Sequence, residues 1–244
     1  MPFSFSAIKS PIVPQFKQEK MRKKIHLIIF IAALSPFLLL ACSNSTTSSQ
    51  DKSKEIQDIY HRINNDIVAY YQSNKDSTIL IADLMTLDSL GESIYENQLL
   101  VQLKMTIYSE LGKKSEALNF LSTVPDSVLT TRSTMNGKTY TTDGKIVRAM
   151  SEGFFANSET ERMNKYNIAA TMLEDYLSHN IDENAIINYI VVKCNIDSTC
   201  DVDKLIDDFK KGGKYDNQFL DNLKSIDWDS EMATISKEQT NKAK

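Results

Sequence analysis

This 244-residue chain contains three cysteines, and their thiols can do only a few kinds of chemistry. Cys194 and Cys200 are separated by five residues, in the run Cys-Asn-Ile-Asp-Ser-Thr-Cys. Two thiols at this spacing could close a small disulfide loop, bind a metal or work as a redox pair. A redox pair normally has the spacing Cys-x-x-Cys, and a zinc site needs more ligands than His61 and His179, the histidines that follow Cys42. The choice among these three depends on whether the protein resides in an oxidising compartment. The segment around the third cysteine, Cys42, indicates which compartment that is.

Cys42 ends a segment that is first basic and then apolar. Basic residues precede an apolar run over residues 25–40, and the segment closes with Leu39-Leu40-Ala41-Cys42. It resembles the signal sequences of bacterial, Bacteroidetes-type lipoproteins, which lipoprotein signal peptidase cleaves before the cysteine. The resemblance implies that Cys42 is acylated and anchors the chain in a lipid bilayer. The alternatives are a transmembrane helix, for which the run is short and interrupted by Pro36, and an ordinary cleaved signal peptide.

Export would place the other two cysteines in an oxidising compartment. We therefore prefer a disulfide between Cys194 and Cys200, worth about 2 kcal/mol by the loop-entropy estimate, over the metal and redox alternatives. The residue after Cys42 is Ser43, and not the Asp that is associated with inner-membrane retention in enteric bacteria. The residues that follow also lack the acidic cluster that resembles a surface-export signal in Bacteroidetes. The expected location is the cell envelope, lipid-anchored at the outer membrane and facing the periplasm.

The composition divides the chain into five segments. Residues 1–20 contain three prolines and no periodic pattern, and we expect them to be an extension upstream of a true start at Met21. The further predicted segments are a signal peptide over 21–41, a flexible polar tether over 42–53, a helical domain over 54–228 and a disordered tail over 229–244.

The charge of the chain is concentrated after the predicted cleavage point. Six of the 28 basic residues precede Cys42, but Glu19 is the only one of the 32 acidic residues that does, so the net charge from Cys42 onward is −9. An acidic protein gains nothing from the phosphate attraction that drives nucleic-acid binding. We exclude a nucleic-acid partner.

Side chains for catalysis or for binding a cofactor have no recognisable arrangement. The chain lacks the His-Glu-x-x-His, Gly-x-Ser-x-Gly and phosphate-loop motifs. Adjacent carboxylates such as Glu174 and Asp175 point apart on a helix. The acids around Asp197 lack the glycine and glutamate that a calcium loop requires at its sixth and twelfth positions. We predict no catalytic residue, no metal ligand and no cofactor.

Apolar residues recur every three or four positions over most of residues 54–228, as in the stripe of Ile59, Ile63 and Ile67. This period predicts amphipathic helices. Residues 130–144 break the pattern with Asn-Gly and Asp-Gly dipeptides around a threonine-rich run, which predicts a loop or small hairpin. The predicted fold is all-α, built from stacked antiparallel helical hairpins.

One stretch carries part of a repeat signature. The spacing of Tyr108, Leu111-Gly112, Ala117 and Leu121 resembles the middle of a tetratricopeptide repeat. Tyr166, Ala169 and Leu173 repeat it in part, although the two alanines are 52 residues apart, whereas the family's period is about 34. The resemblance implies a solenoid whose concave face binds extended peptides or partner proteins. An irregular helical bundle is the alternative.

Four serines share a short motif. Ser77, Ser89, Ser127 and Ser198 each follow an aspartate and precede an aliphatic residue or a threonine. The motif resembles the acceptor site for O-glycosylation of exported Bacteroidetes proteins, which implies modification of these hydroxyls. Helix capping by the aspartates is the alternative explanation.

These features predict a membrane-anchored binding or scaffold module with a protein partner, and not an enzyme. The rival hypotheses are an enzyme inhibitor or immunity-type lipoprotein and an enzyme with an acidic groove. A sugar-binding accessory would need exposed aromatic residues, for which Tyr60, Tyr70, Tyr71 and Tyr95 are candidates. Trp228, the single tryptophan, is expected to pack the C-terminal segment onto the domain, with a partner anchor as the alternative.

Overall fold

The structure is a computed structural model that describes residues 47–72, 76–135, 138–230 and 232. Cys42, the predicted signal peptide and most of the predicted tail lie outside these ranges. Within them the chain is helical except for one two-stranded hairpin and short turns, which confirms the all-α prediction.

The helices follow one another with short connections. They are α1 (Thr47–Gln72), α2 (Ser77–Ser89), α3 (Gln98–Glu110), α4 (Lys114–Thr123), α5 (Asp126–Leu129), α6 (Gly144–Phe155), α7 (Glu159–His179), α8 (Glu183–Ile196), α9 (Val202–Lys211) and α10 (Asn217–Lys224). A 3-10 helix, Gly91–Glu96, separates α2 from α3. Strands β1 (Thr131–Met135) and β2 (Lys138–Thr142) pair antiparallel, with Thr131 opposite Thr142, between α5 and α6. The hairpin thus lies where the turn dipeptides predict it.

Short polar side chains begin most of these helices. In each case an oxygen of the residue before the helix accepts a hydrogen bond from a backbone N–H of the first turn, which would otherwise have no partner. These capping residues are Asp76, Asn97, Asp143, Ser158, Asp182, Asp201 and Asp216. Part of the acidic character of the chain therefore serves to start helices.

One boundary differs from the prediction. Helix α1 begins at Thr47, inside the tether predicted over 42–53, because extending a helix whose apolar stripe is already packed adds one hydrogen bond per residue at little entropic penalty. Helix α3 starts after the cap at Asn97, which follows the 3-10 helix. The four-residue helix α5, directly after Pro125, is too short for a periodic signal.

The apolar side chains form two clusters. Helices α1 to α5 enclose the first, around Leu87, Leu100 and Ile107, and helices α7 to α10 enclose the second, around Tyr166 and Ile190. Helix α6 belongs to both. Its residues Val147 and Phe155 pack into the first cluster, and its residues Ile146, Ala149 and Met150 pack into the second.

The start of α6 is locked against the α4–α5 segment. The Arg148 guanidinium bonds the Asp126 carboxylate at 2.6 Å and also donates to the carbonyl oxygens of Leu121 and Val124. Gly144 passes so close to Asp126 that a Cβ atom would lie 1.8 Å from its carbonyl oxygen. A glycine is therefore required at this crossing.

A second polar contact joins α1 to α2. Arg62 donates to Oδ1 of Asp83 at 2.7 Å, and Asp83 is 1% exposed. Its other oxygen, Oδ2, is buried and accepts no hydrogen bond from the described residues. Burial, and then the nearby Asp66 carboxylate, raise the pKa of Asp83 against the opposing effect of Arg62.

Candidate functional site

A crevice lies between α3 and α6, where the two apolar clusters meet. We call it the α3–α6 crevice. Helices α4, α5 and α8 complete its walls. The residues that line it are Gln98, Val101, Gln102, Met105, Thr106, Ser109, Leu121, Val128, Leu129, Val147, Met150, Ser151, Phe154, Phe155 and Asn188.

Helix α3 can form one wall because it has two apolar stripes. Leu100, Leu103 and Ile107 pack into the first cluster, as their spacing predicts. Val101 and Met105 lie on a neighbouring face, where every third or fourth residue from Gln98 to Ser109 contacts the crevice. The sequence pattern does not reveal this second face, since most of its members are small or polar. Two apolar residues four positions apart, Val101 and Met105, were the available signal.

The crevice is small and uncharged. Its volume is about 90 Å³, less than the 150 Å³ or so of an apolar cavity that holds a benzene molecule. None of the described residues that line it carries a charge. Met105, Val128 and Phe154 are only partly buried and lie at its mouth, where the Gln98 amide donates to the Thr130 carbonyl oxygen at 3.1 Å.

This arrangement suits binding and not proton transfer. An apolar group placed in the crevice would exchange water for methyl, methylene and ring contacts, at about 25 cal/mol for each Å² of apolar surface removed from water. The half-buried amides of Gln98 and Gln102 are neutral, and each has both a donor and an acceptor. The crevice therefore fits one small aliphatic side chain that a neutral polypeptide segment presents.

The two predicted disulfide cysteines meet at the junction of α8 and α9. The sulfur atoms of Cys194 and Cys200 lie at disulfide distance, and their Cα atoms are 5.0 Å apart. The loop between them is tightened by Asp197, whose carboxylate accepts hydrogen bonds from the N–H and the hydroxyl of Thr199 at 2.8 and 2.7 Å. Across the described residues, no group of three or more His, Cys, Asp and Glu side chains is placed to hold a metal ion.

The serines of the Asp-Ser motif are all at the surface. Ser77, Ser89, Ser127 and Ser198 are exposed. Of the preceding aspartates, Asp76 caps α2, so this motif also has a capping role. The predicted lipid-bearing residue, Cys42, lies outside the described residues.

The aromatic residues singled out in the sequence are mostly part of the core. Tyr70 is buried, and Tyr60, Tyr71 and Tyr95 pack against the first cluster. Trp228 packs against the second cluster and donates from its indole nitrogen to the Leu223 carbonyl oxygen at 2.8 Å. The packing role predicted for Trp228 is therefore confirmed, and the four tyrosines belong to the first cluster or pack against it.

No helix among the described residues has the length and apolar content needed to cross a membrane. The chain gives no match to known family models, to curated proteins or to solved structures.

Proposed function

We propose that the chain is a lipid-anchored protein of the cell envelope whose helical domain binds a protein partner through the α3–α6 crevice. The observation that carries the proposal is an uncharged apolar crevice at the junction of two cores, with partly buried apolar side chains at its mouth. The expected occupant is an apolar side chain of a neutral segment of the partner. The proposed anchor is Cys42, and the proposed location is the outer membrane, facing the periplasm.

Photo-crosslinking in living cells tests the binding surface. A benzophenone amino acid replaces Met105 at the mouth of the crevice, and in a control chain it replaces Met85, which is 68% exposed on α2. We expect a discrete adduct from position 105 that disappears when Val128→Glu places a charge in the crevice, because a buried carboxylate without a partner is strongly unfavourable. Equal labelling from both positions, or an adduct that persists in the Val128→Glu chain, would contradict the proposal.

The anchor and the motif serines have separate tests. Intact mass of the exported protein should show acyl chains that are lost in Cys42→Ser, and glycans that are lost when Ser77, Ser89, Ser127 and Ser198 are replaced by alanine. Protease added to intact cells should leave the domain uncleaved. A mass without acyl chains or without glycans would refute the corresponding modification. Cleavage of the domain by protease added outside the cells would refute the periplasmic orientation.

A further inference from the structure

A second cleft lies on the other half of the molecule, where α7 and α8 meet α9 and the turn after it. We call it the aromatic cleft, because the rings of Tyr189, Phe209 and Tyr215 line it. Its volume of about 370 Å³ lies within the roughly 300–1,000 Å³ of small-molecule sites, whereas the α3–α6 crevice is smaller than that range. The aromatic cleft therefore has room for a small molecule or for one unit of a larger one.

The three rings are held in fixed orientations. Tyr189 and Tyr215 stand nearly perpendicular to Phe209, at 86° and 89°, with ring centres 5.9 and 5.7 Å away. The Tyr189 hydroxyl donates to the Glu174 carboxylate at 2.8 Å, and the Tyr215 hydroxyl donates to the Asn180 carbonyl oxygen at 3.2 Å. Burial and this bond to Glu174 raise the pKa of Tyr189, so its hydroxyl stays protonated. Because these side chains are already held in place, they lose little conformational entropy when a ligand binds.

The polar groups of the aromatic cleft are close to balanced in charge. Two acidic residues, Glu174 and Asp208, and one basic residue, Lys214, line it. Both acids are paired with lysines that are not among the lining residues: Lys193 lies 3.5 Å from Glu174, and Lys211 lies 2.9 Å from Asp208. Lys214 donates to the Ser178 carbonyl oxygen at 3.0 Å. A cationic ligand would meet the Lys214 ammonium group, and an anionic ligand would meet the two carboxylates. The balance favours a neutral ligand that exchanges hydrogen bonds with both kinds of group.

A pyranose sugar has the matching chemistry. Its C–H groups form an apolar face that packs on an aromatic ring, and its hydroxyls around the edge both donate and accept hydrogen bonds. We propose that the aromatic cleft binds a neutral hexopyranose unit of a glycan. The proposal does not rest on the function of the α3–α6 crevice, because the two sites share no lining residue.

Isothermal titration calorimetry of the full chain, purified in detergent, tests the proposal. The probes are maltohexaose, cellohexaose and mannohexaose, with choline as a cationic probe and polygalacturonate as an anionic one. We expect at least one neutral hexaose to bind saturably and the two charged probes to give no heat. No binding of any of the three hexaoses, or binding of a charged probe alone, overturns the proposal.

Three variants assign the binding to the aromatic cleft. Phe209→Leu keeps an apolar side chain but removes the ring, and should weaken binding about 10-fold. Tyr189→Phe keeps the ring but releases it from Glu174, and should weaken binding about 3-fold. The matched control is Tyr95→Phe, which removes the same kind of hydroxyl bond, to Thr123 at 2.6 Å, far along the chain. Binding by this control should be unchanged.

Circular dichroism separates loss of the site from loss of the fold. If Phe209→Leu unfolds, Lys214→Ala at the edge of the cleft takes its place, and a loss of at least 3-fold is expected from one missing hydrogen bond. Binding that is unaffected in folded Tyr189→Phe and Phe209→Leu or Lys214→Ala chains overturns the assignment. Val128→Glu in the α3–α6 crevice should leave glycan binding intact, so the two proposals fail independently.

Discussion

Replacing Gly144 by alanine tests the close backbone approach of α6 to α5. An added Cβ would lie 1.8 Å from the Asp126 carbonyl oxygen, 2.6 Å from its carbon and 3.0 Å from the Thr130 nitrogen. All three atoms belong to backbone, which cannot rotate away as a side chain does. Because Gly144 is the first residue of α6, relieving the overlap must move the helix away from α5 and stretch the bond between Arg148 and Asp126.

The expected magnitude follows from three terms. Alanine in place of glycine favours a helix by at most about 1 kcal/mol. Overpacking opposes it by about 1–3 kcal/mol, and weakening hydrogen bonds to a charged group adds about 1.5–3 kcal/mol. Gly144→Ala should therefore lower the free energy of unfolding by about 1.5–5 kcal/mol, measured by urea denaturation with circular dichroism at 222 nm.

Another glycine of the same helix provides the control. A Cβ on Gly153 would approach the buried Tyr166 ring at 3.0 Å, which is a side chain and not backbone, so Gly153→Ala should lower the free energy of unfolding by less than Gly144→Ala does, by about 2 kcal/mol at most. If Gly144→Ala is as stable as the native chain, or no less stable than Gly153→Ala, the close crossing of α6 over α5 is refuted.

Further predictions concern the polar contacts and the cysteines. Arg148→Met, which removes one ion pair and two bonds to carbonyl oxygens, should lower the free energy of unfolding by about 2–4 kcal/mol in the same urea assay. Lys211→Met, which breaks an exposed pair, should leave it nearly unchanged, and similar losses in the two chains would contradict the structure. The pKa of Asp83 is raised by burial, so the folded state binds its proton more readily than the unfolded state does, and its charged form opposes folding. The contribution of Asp83 to stability should therefore rise as the pH falls from above its pKa in the folded state toward its lower pKa in the unfolded state. Asp83→Asn should remove this pH dependence. If the free energy of unfolding changes with pH in the same way in the native chain and in Asp83→Asn, the raised pKa is excluded. Mass spectrometry without reductant should give Cys194 and Cys200 as a disulfide, two hydrogens lighter than the reduced chain, and Cys194→Ser should cost about 2 kcal/mol; a free-thiol mass would contradict the pairing.

The helices were predictable because their apolar stripes and their caps are local signals. Ile63 and Ile67 lie on one face of α1 and are buried. Asp182 caps α8 by accepting a hydrogen bond from the N–H of Ala185, three residues further on. The start of α1 at Thr47 was not predictable, because the polar composition of residues 42–53 is compatible both with a flexible tether and with the first turns of a long helix. Local pattern therefore fixes the element type more firmly than its first residue.

The two candidate sites depend on contacts that no local pattern records. Val101 and Val147 both line the crevice although they are 46 positions apart in the chain, and only the packing of α6 between the two clusters brings them together. Likewise Tyr189 and Tyr215 meet Phe209 only after α9 folds back on α8. Their aromatic and apolar types suited a core position equally well, so the sequence alone could not separate a binding wall from packing.

The membership of α6 in both apolar clusters has a consequence for how the molecule responds to a ligand. Neither half can open without exposing a face of this helix, so the two halves should unfold in one transition, and the amides of α6 should exchange with solvent only when the whole domain opens. A partner seated in the crevice touches Val147 and Met150 and so stabilises the shared helix. At a partner concentration 100 times the Kd it would add about 2.7 kcal/mol to the stability of α7, which packs on α6 from the second half, as well as to its own side. Hydrogen exchange in α7 would then report the occupancy of a site that α7 does not line.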